Sequence, residues 1–253
     1  MKTPRSRNYR TAALMGGLIC SATAAFADTT NNWSFDITPY LWVASVDADT
    51  SLSHSPSPTS SGVDHFDTRI SAGAMIAARA QYRSVGILVD FAWLRLNTEA
   101  TDPGPAYSDS ELKSDFIHST LALTYSLPLQ GKFHADVLAG ARLWHVSEKL
   151  ELESGTSPGF ETSEDKTWVD PVFGADLRYD LGKRWQATVK GTVGGFGVSS
   201  DLAWEVFAGV SYRITDWCSA IAGYRYLHEE YDRSGFSLNA DFQGFLLGVG
   251  FHF

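Results

Sequence analysis

The chain has 253 residues, of which 44% are hydrophobic, and a formal net charge of −9. Its acidic balance excludes an electrostatic nucleic-acid surface, because such a surface needs clustered lysine and arginine. The length is that expected of a single all-β domain.

The N-terminus predicts an export signal. Four basic residues and no acid fall within residues 2–10, a small and apolar run covers 11–24, and an Ala-x-Ala sequence ends at Ala27. This order is typical of a signal peptide over residues 1–27, and the run is shorter than the ~20 residues of a membrane-spanning helix. Cleavage removes the four basic residues, so the charge changes from −9 to −13, and it leaves one cysteine, Cys218. No intramolecular disulfide can then form.

Beyond Asn32, apolar residues recur at every second position over stretches longer than an average soluble strand. Segments 70–82, 202–214 and 245–253 show the pattern best, with mostly small, polar or charged residues on the opposite face. Seven apolar positions on one face need ~40 Å of strand, which suits a tilted crossing of a bilayer.

The alternation predicts an antiparallel up-and-down transmembrane β-barrel of ten strands, with eight as the alternative count. The predicted strands cover roughly residues 33–48, 67–82, 86–97, 111–127, 132–153, 166–179, 184–197, 202–214, 217–230 and 236–253. Tight turns such as 180–183 and 215–216 alternate with longer polar connections at 50–66, 98–110 and 154–165. An even strand number places both termini on the periplasmic side.

Three local features carry further expectations. Pro171 lacks a backbone donor, so it predicts a bulge or a position near the rim. Gly194-Gly195 predicts a bend, or close packing against a large inward side chain. Aromatic residues at the ends of strands next to the short turns predict a girdle at the lipid headgroups; they are Tyr82, Tyr125, Phe133, Tyr179, Trp185, Tyr212 and Phe253.

The face opposite the apolar series is the expected lumen, and its charges balance. The expected lumen charges are Arg79, Arg142, Arg178, Lys190, Arg213, Arg225, Asp36, Asp90, Asp136, Asp170, Asp176 and Glu205. Isolated charges in a narrow barrel are costly, so equal numbers of opposite sign predict ion pairs and hydrogen bonds that fill the interior. The alternative is a narrow channel or transporter for small solutes.

Enzymatic alternatives have weaker patterns, and we expect neither catalysis nor a cofactor or metal. His145 and Ser147 share the outward face of one strand, ahead of Glu151 and Glu153, and resemble the arrangement of an outer-membrane lipid A deacylase. A second acid–histidine group, as in ten-strand barrel proteases, consists of Asp64, His65 and Asp67 with His228, Glu229 and Glu230. No repeated spacing of these residues favours a metal site.

The alternating segment 245–253 with its terminal Phe253 resembles the C-terminal assembly signal of Gram-negative outer-membrane barrels. Segments 168–171, 194–201 and 223–226 look like a poorly characterised group of proteobacterial outer-membrane β-barrel proteins. Cleavage after Ala27 leaves residues 28–253 as the barrel domain. The resemblance implies an outer-membrane location, in which membrane lipids and lipopolysaccharide surround the barrel and the assembly machinery recognises Phe253. It brings no catalytic residues, and it leaves the oligomeric state open.

A soluble periplasmic barrel with an apolar cavity is the remaining alternative. It would place Trp93, Trp204 and Tyr212 inside the barrel and the lumen charges outside. The balanced charges of the opposite face disfavour it.

Overall fold

A computed structural model describes residues 32–52, 66–100, 107–156, 158–233 and 236–253. The predicted signal peptide therefore lies outside the described residues. The strands are β1 (Trp33–Leu52), β2 (Phe66–Tyr82), β3 (Val85–Ala100), β4 (Tyr107–Ser126), β5 (Phe133–Ser154), β6 (Phe160–Asp180), β7 (Trp185–Gly195), β8 (Leu202–Arg213), β9 (Cys218–Arg233) and β10 (Phe236–His252).

Each strand pairs antiparallel with its neighbours in the sequence, and β1 pairs with β10 to close the barrel. At this seam the Phe35 amide donates to the Phe253 carbonyl over 3.0 Å, and the Phe253 amide donates to the Phe35 carbonyl over 2.9 Å. Closure removes the free edge that an open sheet would expose. The predicted ten-strand antiparallel barrel is confirmed, and the alternative count of eight is wrong.

The two ends of the barrel differ in their connections. Four short connections, 83–84, 127–132, 181–184 and 214–217, lie at the end that also holds Trp33 and Phe253. We call this end the turn rim and the opposite end the loop rim. The connection between β5 and β6 at the loop rim is shorter than the predicted 154–165. β5 continues to Ser154, and β6 already begins at Phe160. The β5–β6 ladder continues there with polar and charged pairs such as Glu151 opposite Glu161, because backbone pairing does not require an apolar face.

Strand β7 is the shortest strand, and this explains the features predicted around Pro171. The β5–β6 register runs through Pro171 without a bulge, whereas pairing between β6 and β7 ends at Val172 opposite Gly194. Pro171 therefore lies just beyond the end of the β6–β7 pairing, which agrees with the predicted position near a rim and not with the predicted bulge. The chain turns at Gly195, which has a φ of 85°. A Cβ on Gly194 would lie 2.6 Å from the Pro171 carbonyl oxygen, so the close contact is with backbone and not with a large side chain.

The outer surface carries the apolar side chains, as the alternation predicted. On β5 and β6 the outward apolar series ends at the pair Leu143–Val169, and the next outward pair toward the loop rim is His145–Thr167. The predicted girdle residues are all at least partly exposed at the turn rim. Trp204 is directed outward, while its neighbours Ala203 and Glu205 are buried, so the inverted soluble barrel is not the observed arrangement. The described residues include no helix that is long and apolar enough to span a membrane.

The interior holds a hydrophobic core that the sequence reasoning missed. Five inward aromatic residues form what we call the aromatic plug: Trp42, Phe116, Trp144, Trp168 and Phe242. The Phe242 ring lies 5.7 to 6.4 Å, centroid to centroid, from three of the others, within the usual range of aromatic pairs. The plug lies on the loop-rim side of the lumen charges. The predicted ion pairs and hydrogen bonds therefore share the interior with an apolar layer that was not predicted.

Candidate functional site

Five of the predicted lumen charges meet in a central network in the middle of the barrel. Glu205 accepts a hydrogen bond of 2.7 Å from Arg142 and lies 3.1 Å from Arg225 and 3.6 Å from Lys190. The carboxylate of Asp90 lies 3.2 Å from Arg225 and 3.5 Å from Lys190. Two acids therefore share three cations, and all but Lys190 are at most 5% exposed.

A second cluster forms nearer the turn rim around Asp136. Arg79 donates to Asp136 over 2.6 Å, and Arg178 and Ser126 also contact this carboxylate. Arg178 lies 3.9 Å from Asp176. Asp136 is 1% exposed, so removing its cations would leave an uncompensated buried charge.

Three predicted lumen charges pair with none of the other nine. Asp36 contacts His252 over 2.6 Å near the turn rim. Asp170 accepts from the Ser200 amide and hydroxyl over 2.8 and 2.6 Å, and Arg213 has no ion-pair partner in the described part of the chain. Asp36 and Asp170 therefore make hydrogen bonds in place of ion pairs with the other predicted lumen charges.

Asp170 belongs to a small buried cluster at the loop-rim end of β7. The Ser200 hydroxyl contacts both Asp170 and Glu229, and Trp168 donates to Glu229 over 3.0 Å. The Ser200 hydroxyl has one hydrogen, so it can donate to only one of the two carboxyl groups. The other carboxyl group must carry a proton and donate it to the hydroxyl oxygen. The segments that carry the family resemblance, 168–171 and 194–201, meet here. Their observed role is to anchor the β7–β8 connection over the end of β7.

The aromatic plug sits directly on the central network. The Arg225 guanidinium lies 4.9 Å from the centroid of the Trp42 ring, a cation–π distance. His118 lies 4.9 Å from Trp144, ring to ring. The ring nitrogens of Trp42 and Trp144 have no hydrogen-bond partner in the described structure. Charged and aromatic layers together occupy the barrel interior from Asp136 to Trp168.

On the other side of the charges, the lumen opens toward the turn rim as a cavity of about 270 Å³. We call this cavity the vestibule. Its wall includes Asp36, Arg178, Arg184, Arg213 and His252. Arg184 lies in the β6–β7 turn, where a hydrogen bond to the Tyr212 hydroxyl raises the pKa of its guanidinium. Like other arginines, Arg184 is positively charged.

Several residues of the central network were missed by the sequence reasoning. The Tyr40 hydroxyl donates to Asp90 over 2.6 Å and accepts from Arg225 over 2.9 Å. Thr120 and Thr192 accept hydrogen bonds from Arg142. Tyr40 and Thr192 share the inward parity of Asp36 and Lys190 on their strands, and Thr120 lies on the buried face of β4. Extending the alternation to uncharged polar residues would have identified them.

The first enzymatic candidate is not assembled. His145 and Ser147 face outward beyond the apolar series, as expected, but His145 bonds Thr167 over 2.7 Å. No hydrogen bond joins His145 to Ser147 within the described residues. Glu151 contacts Lys149 and Lys113, so it does not orient the histidine. His145 and Ser147 are therefore not coupled as a base and a nucleophile in this structure.

The second enzymatic candidate is divided between two faces of the barrel wall. His228 faces outward and contacts Asp241 over 2.8 Å, whereas Glu229 is buried inside. Glu230 is exposed on the outward side. Asp64, His65 and the side chain of Asp67 lie outside the described residues. Among the side chains that the structure describes, no group of three possible ligands is placed to hold a metal ion.

No protein-family model and no curated protein sequence matches the chain. Among solved structures, it is similar to the outer membrane protease OmpT from Escherichia coli, with 11% identity, a TM-score of 0.51 and coverage of 91% of this chain and 99% of that chain. It is also similar to OprG from Pseudomonas aeruginosa, with 9% identity, a TM-score of 0.38 and coverage of 88% and 96%. A third similar structure is Ail of Yersinia pestis, with 12% identity, a TM-score of 0.35 and coverage of 88% and 99%. At this identity the likeness to OmpT concerns the fold: an all-β, closed antiparallel barrel of the outer-membrane type.

Proposed function

We propose that the chain is an integral outer-membrane protein whose barrel is closed to solute flow and acts as an anchor for surfaces at its two rims, without catalytic activity. The observation that carries the proposal is the filled interior. The central network, the Asp136 cluster and the aromatic plug follow one another along the barrel axis. A ten-strand barrel is narrow, and open channels belong to barrels with more strands.

Membrane embedding is supported by the outward apolar series and the exposed aromatic residues at the turn rim. Large apolar side chains on the outer surface are exposed: Phe245 is 70% exposed, and Leu121 and Leu247 are each more than half exposed. A wide apolar surface of this kind marks contact with lipid or a large partner. The lipids of the membrane, including lipopolysaccharide, are its proposed surroundings, and Phe253 at the seam is available for recognition during assembly.

Two substitutions on one face of β5 test the embedding. Ala139 lies midway along the outward apolar series, and Ser147 lies beyond its end. Ala139→Arg should destabilise the folded barrel in lipid by about 2–4 kcal/mol, because a cation near the bilayer midplane loses its hydration. Ser147→Arg should cost less than about 1 kcal/mol. Reversible unfolding by denaturant in vesicles gives both values. Equal effects would contradict embedding.

Conductance in planar bilayers tests the closed lumen. Purified wild-type protein should give no stable pore of defined conductance, because charged and aromatic side chains occupy the lumen in the described part of the barrel. Heat-unfolded protein at the same concentration is the control for detergent artefacts. A reproducible single-channel step from folded protein would favour the alternative of a narrow channel.

Hydrolysis tests the absence of catalysis. We expect no release of fatty acid from lipid A or of peptide fragments by the purified barrel, and therefore no difference between wild type and Ser147→Ala. Activity that Ser147→Ala removes would favour the alternative hypothesis of a lipid-modifying hydrolase.

Fractionation is a further test of the membrane location, because an integral barrel stays in the membrane pellet until detergent is added.

A further inference from the structure

A cleft at the turn rim lies between the β6–β7 turn and the β8–β9 turn. Its volume is about 340 Å³, and it is lined by Lys183, Arg184, Arg213, Ile214, Thr215 and Asp216. Three of these six residues are cations and one is an acid. The excess of positive charge stands out in a chain with a formal net charge of −9.

The backbone holds two of the cations side by side. The Arg213 amide donates to the Arg184 carbonyl over 2.8 Å, at the first position beyond the pair Trp185–Tyr212. Like charges on adjacent strands repel each other, so this arrangement is unfavourable without an opposite charge nearby. Arg184 makes only a neutral hydrogen bond of 3.2 Å, to the Tyr212 hydroxyl.

The protein itself provides little compensation. Lys183 and Arg213 make no hydrogen bond or ion pair from their side chains in the described part of the chain. Asp216 lines the cleft and interacts with Arg184 without forming an ion pair. Asp180 lies nearby and interacts with Arg213, but its carboxylate is engaged by Gln186 at 2.9 Å and His134 at 3.1 Å. The same three cations also line the vestibule, so the positive region continues into the barrel mouth.

We propose that this cleft binds a phosphate group. Three converging cations suit an anion that carries more than one charge and several acceptor oxygens, and an arginine fork matches two phosphate oxygens at once. A carboxylate has one charge and two oxygens, and it would leave one of the cations uncompensated. The inference adds a ligand class to the proposed function, which assigns no ligand to the turn rim.

The phosphate can come from a lipid headgroup or from solution. Large apolar side chains flank the cleft and are about half exposed; they are Leu181, Trp185, Ile214 and Trp217. Cations next to such side chains match the headgroup level of a bilayer, where apolar and charged groups meet. The lipid source rests on the proposed membrane location, whereas binding of free phosphate does not.

Titration calorimetry in dodecyl maltoside, which contains no phosphate, tests both sources. One arm adds inorganic phosphate. The other adds phosphatidylglycerol in mixed micelles, with diacylglycerol as the lipid without phosphate. Wild type should bind in a saturable manner in at least one arm, and diacylglycerol should not bind. Phosphate alone identifies the solution source, and preference for the lipid identifies the headgroup.

Variants assign the binding to the cleft. The triple variant Lys183→Gln/Arg184→Gln/Arg213→Gln should bind at least tenfold more weakly, whereas Arg83→Gln/Lys132→Gln, which removes cations from the other two turns at this rim, should bind within twofold of wild type. Asp216→Asn should bind several-fold more tightly, because it removes an opposing charge, and it decides the question if the triple variant does not fold. The proposal is overturned if wild type binds in neither arm, or if the triple variant or Asp216→Asn binds as wild type does. Pore formation and membrane embedding are measured separately, so a failure here leaves the proposed function standing.

Discussion

Glu205 shows how much one side chain can depend on its partners. It is 2% exposed and faces Arg142, Arg225 and Lys190. Taking a charged group out of water costs several kcal/mol, and opposite charges at hydrogen-bonding distance offset this cost. Loss of the carboxylate leaves buried cations facing one another.

Glu205→Gln should therefore lower the free energy of unfolding by about 3–5 kcal/mol, the range for breaking a buried charge pair. The measurement is the denaturant midpoint of the purified protein in detergent. Glu161→Gln is the matched control, since Glu161 is 64% exposed and pairs only with an exposed lysine; its effect should stay within about 0.5 kcal/mol. A similar midpoint for the two variants would show that the central network is not a stabilising unit.

Asp170 holds a backbone connection through hydrogen bonds and does not pair with a cation. It accepts two hydrogen bonds from Ser200, and both partners are fully buried. Asp170→Ala should cost on the order of 1–3 kcal/mol, because it leaves buried donors without an acceptor. It should also expose the connection 196–201 to proteolysis. Asp165→Ala, on the exposed outward face of the same strand, should change neither the midpoint nor the cleavage rate.

Glu229 tests the proton inferred in the same cluster. The Trp168 indole and the Ser200 hydroxyl both contact Oε1 of Glu229. A protonated carboxyl oxygen can accept from one and donate to the other, whereas a glutamine must turn so that its oxygen makes one contact and its nitrogen the other. Glu229→Gln should therefore cost about 1 kcal/mol or less, because it keeps a neutral donor and acceptor, while Glu229→Ala should cost on the order of 1–3 kcal/mol. Equal losses in the two variants would mean that the cluster needs a charged Glu229.

At the scale of the strand, the seam between β1 and β10 depends on a small residue. A Cβ placed on Gly244 would lie 1.9 Å from the Val43 carbonyl oxygen, so a side chain there must push the two strands apart. Closure of the barrel relies on this one ladder, because the other strand pairs are neighbours in sequence. The position is therefore more demanding than a glycine in a turn.

Gly244→Ala should destabilise the barrel by about 1–3 kcal/mol, the usual cost of forcing an extra carbon into a packed site. The control is Gly182→Ala in the β6–β7 turn, where a Cβ would meet no atom within 4 Å. That change should be neutral or slightly stabilising, since alanine restricts the unfolded chain. Heat-modifiable migration on gels follows the folded fraction of both variants. No difference between them would mean that the seam adapts freely.

At the scale of the whole molecule, the interior is closed twice, once by charges and once by aromatic rings. Trp144→Ala/Phe242→Ala should cost several kcal/mol, because large buried side chains are lost and cavities remain. It should still form no pore, since the central network is intact beneath the cavity. Trp93→Ala, on the outward face, is the control for loss of an indole. Conductance from the double variant would show that the plug alone closes the barrel.

The fold class, the strand number and the face that each residue presents could all be predicted from the sequence. This information is local: alternation with a period of two follows from strand geometry, so Ala203 and Leu202 fall on opposite sides whatever the rest of the chain does. The inward charges such as Arg142 and Glu205 could also be predicted to have partners, because arginine and glutamate are almost never fully buried unless they are paired.

Which inward residues meet could not be predicted, because it depends on the registers of the strand pairs. Parity says that Arg142 and Trp144 face the lumen, but the height of each strand in the barrel depends on its register with both neighbours, and a register is a property of strand pairs. Registers place the charges in one layer and the aromatic rings in another, and they leave Arg213 beside Arg184 at the turn rim. They also bring Asp170 to Ser200, 30 residues away, because β7 is short and its connection folds back over the end of the strand.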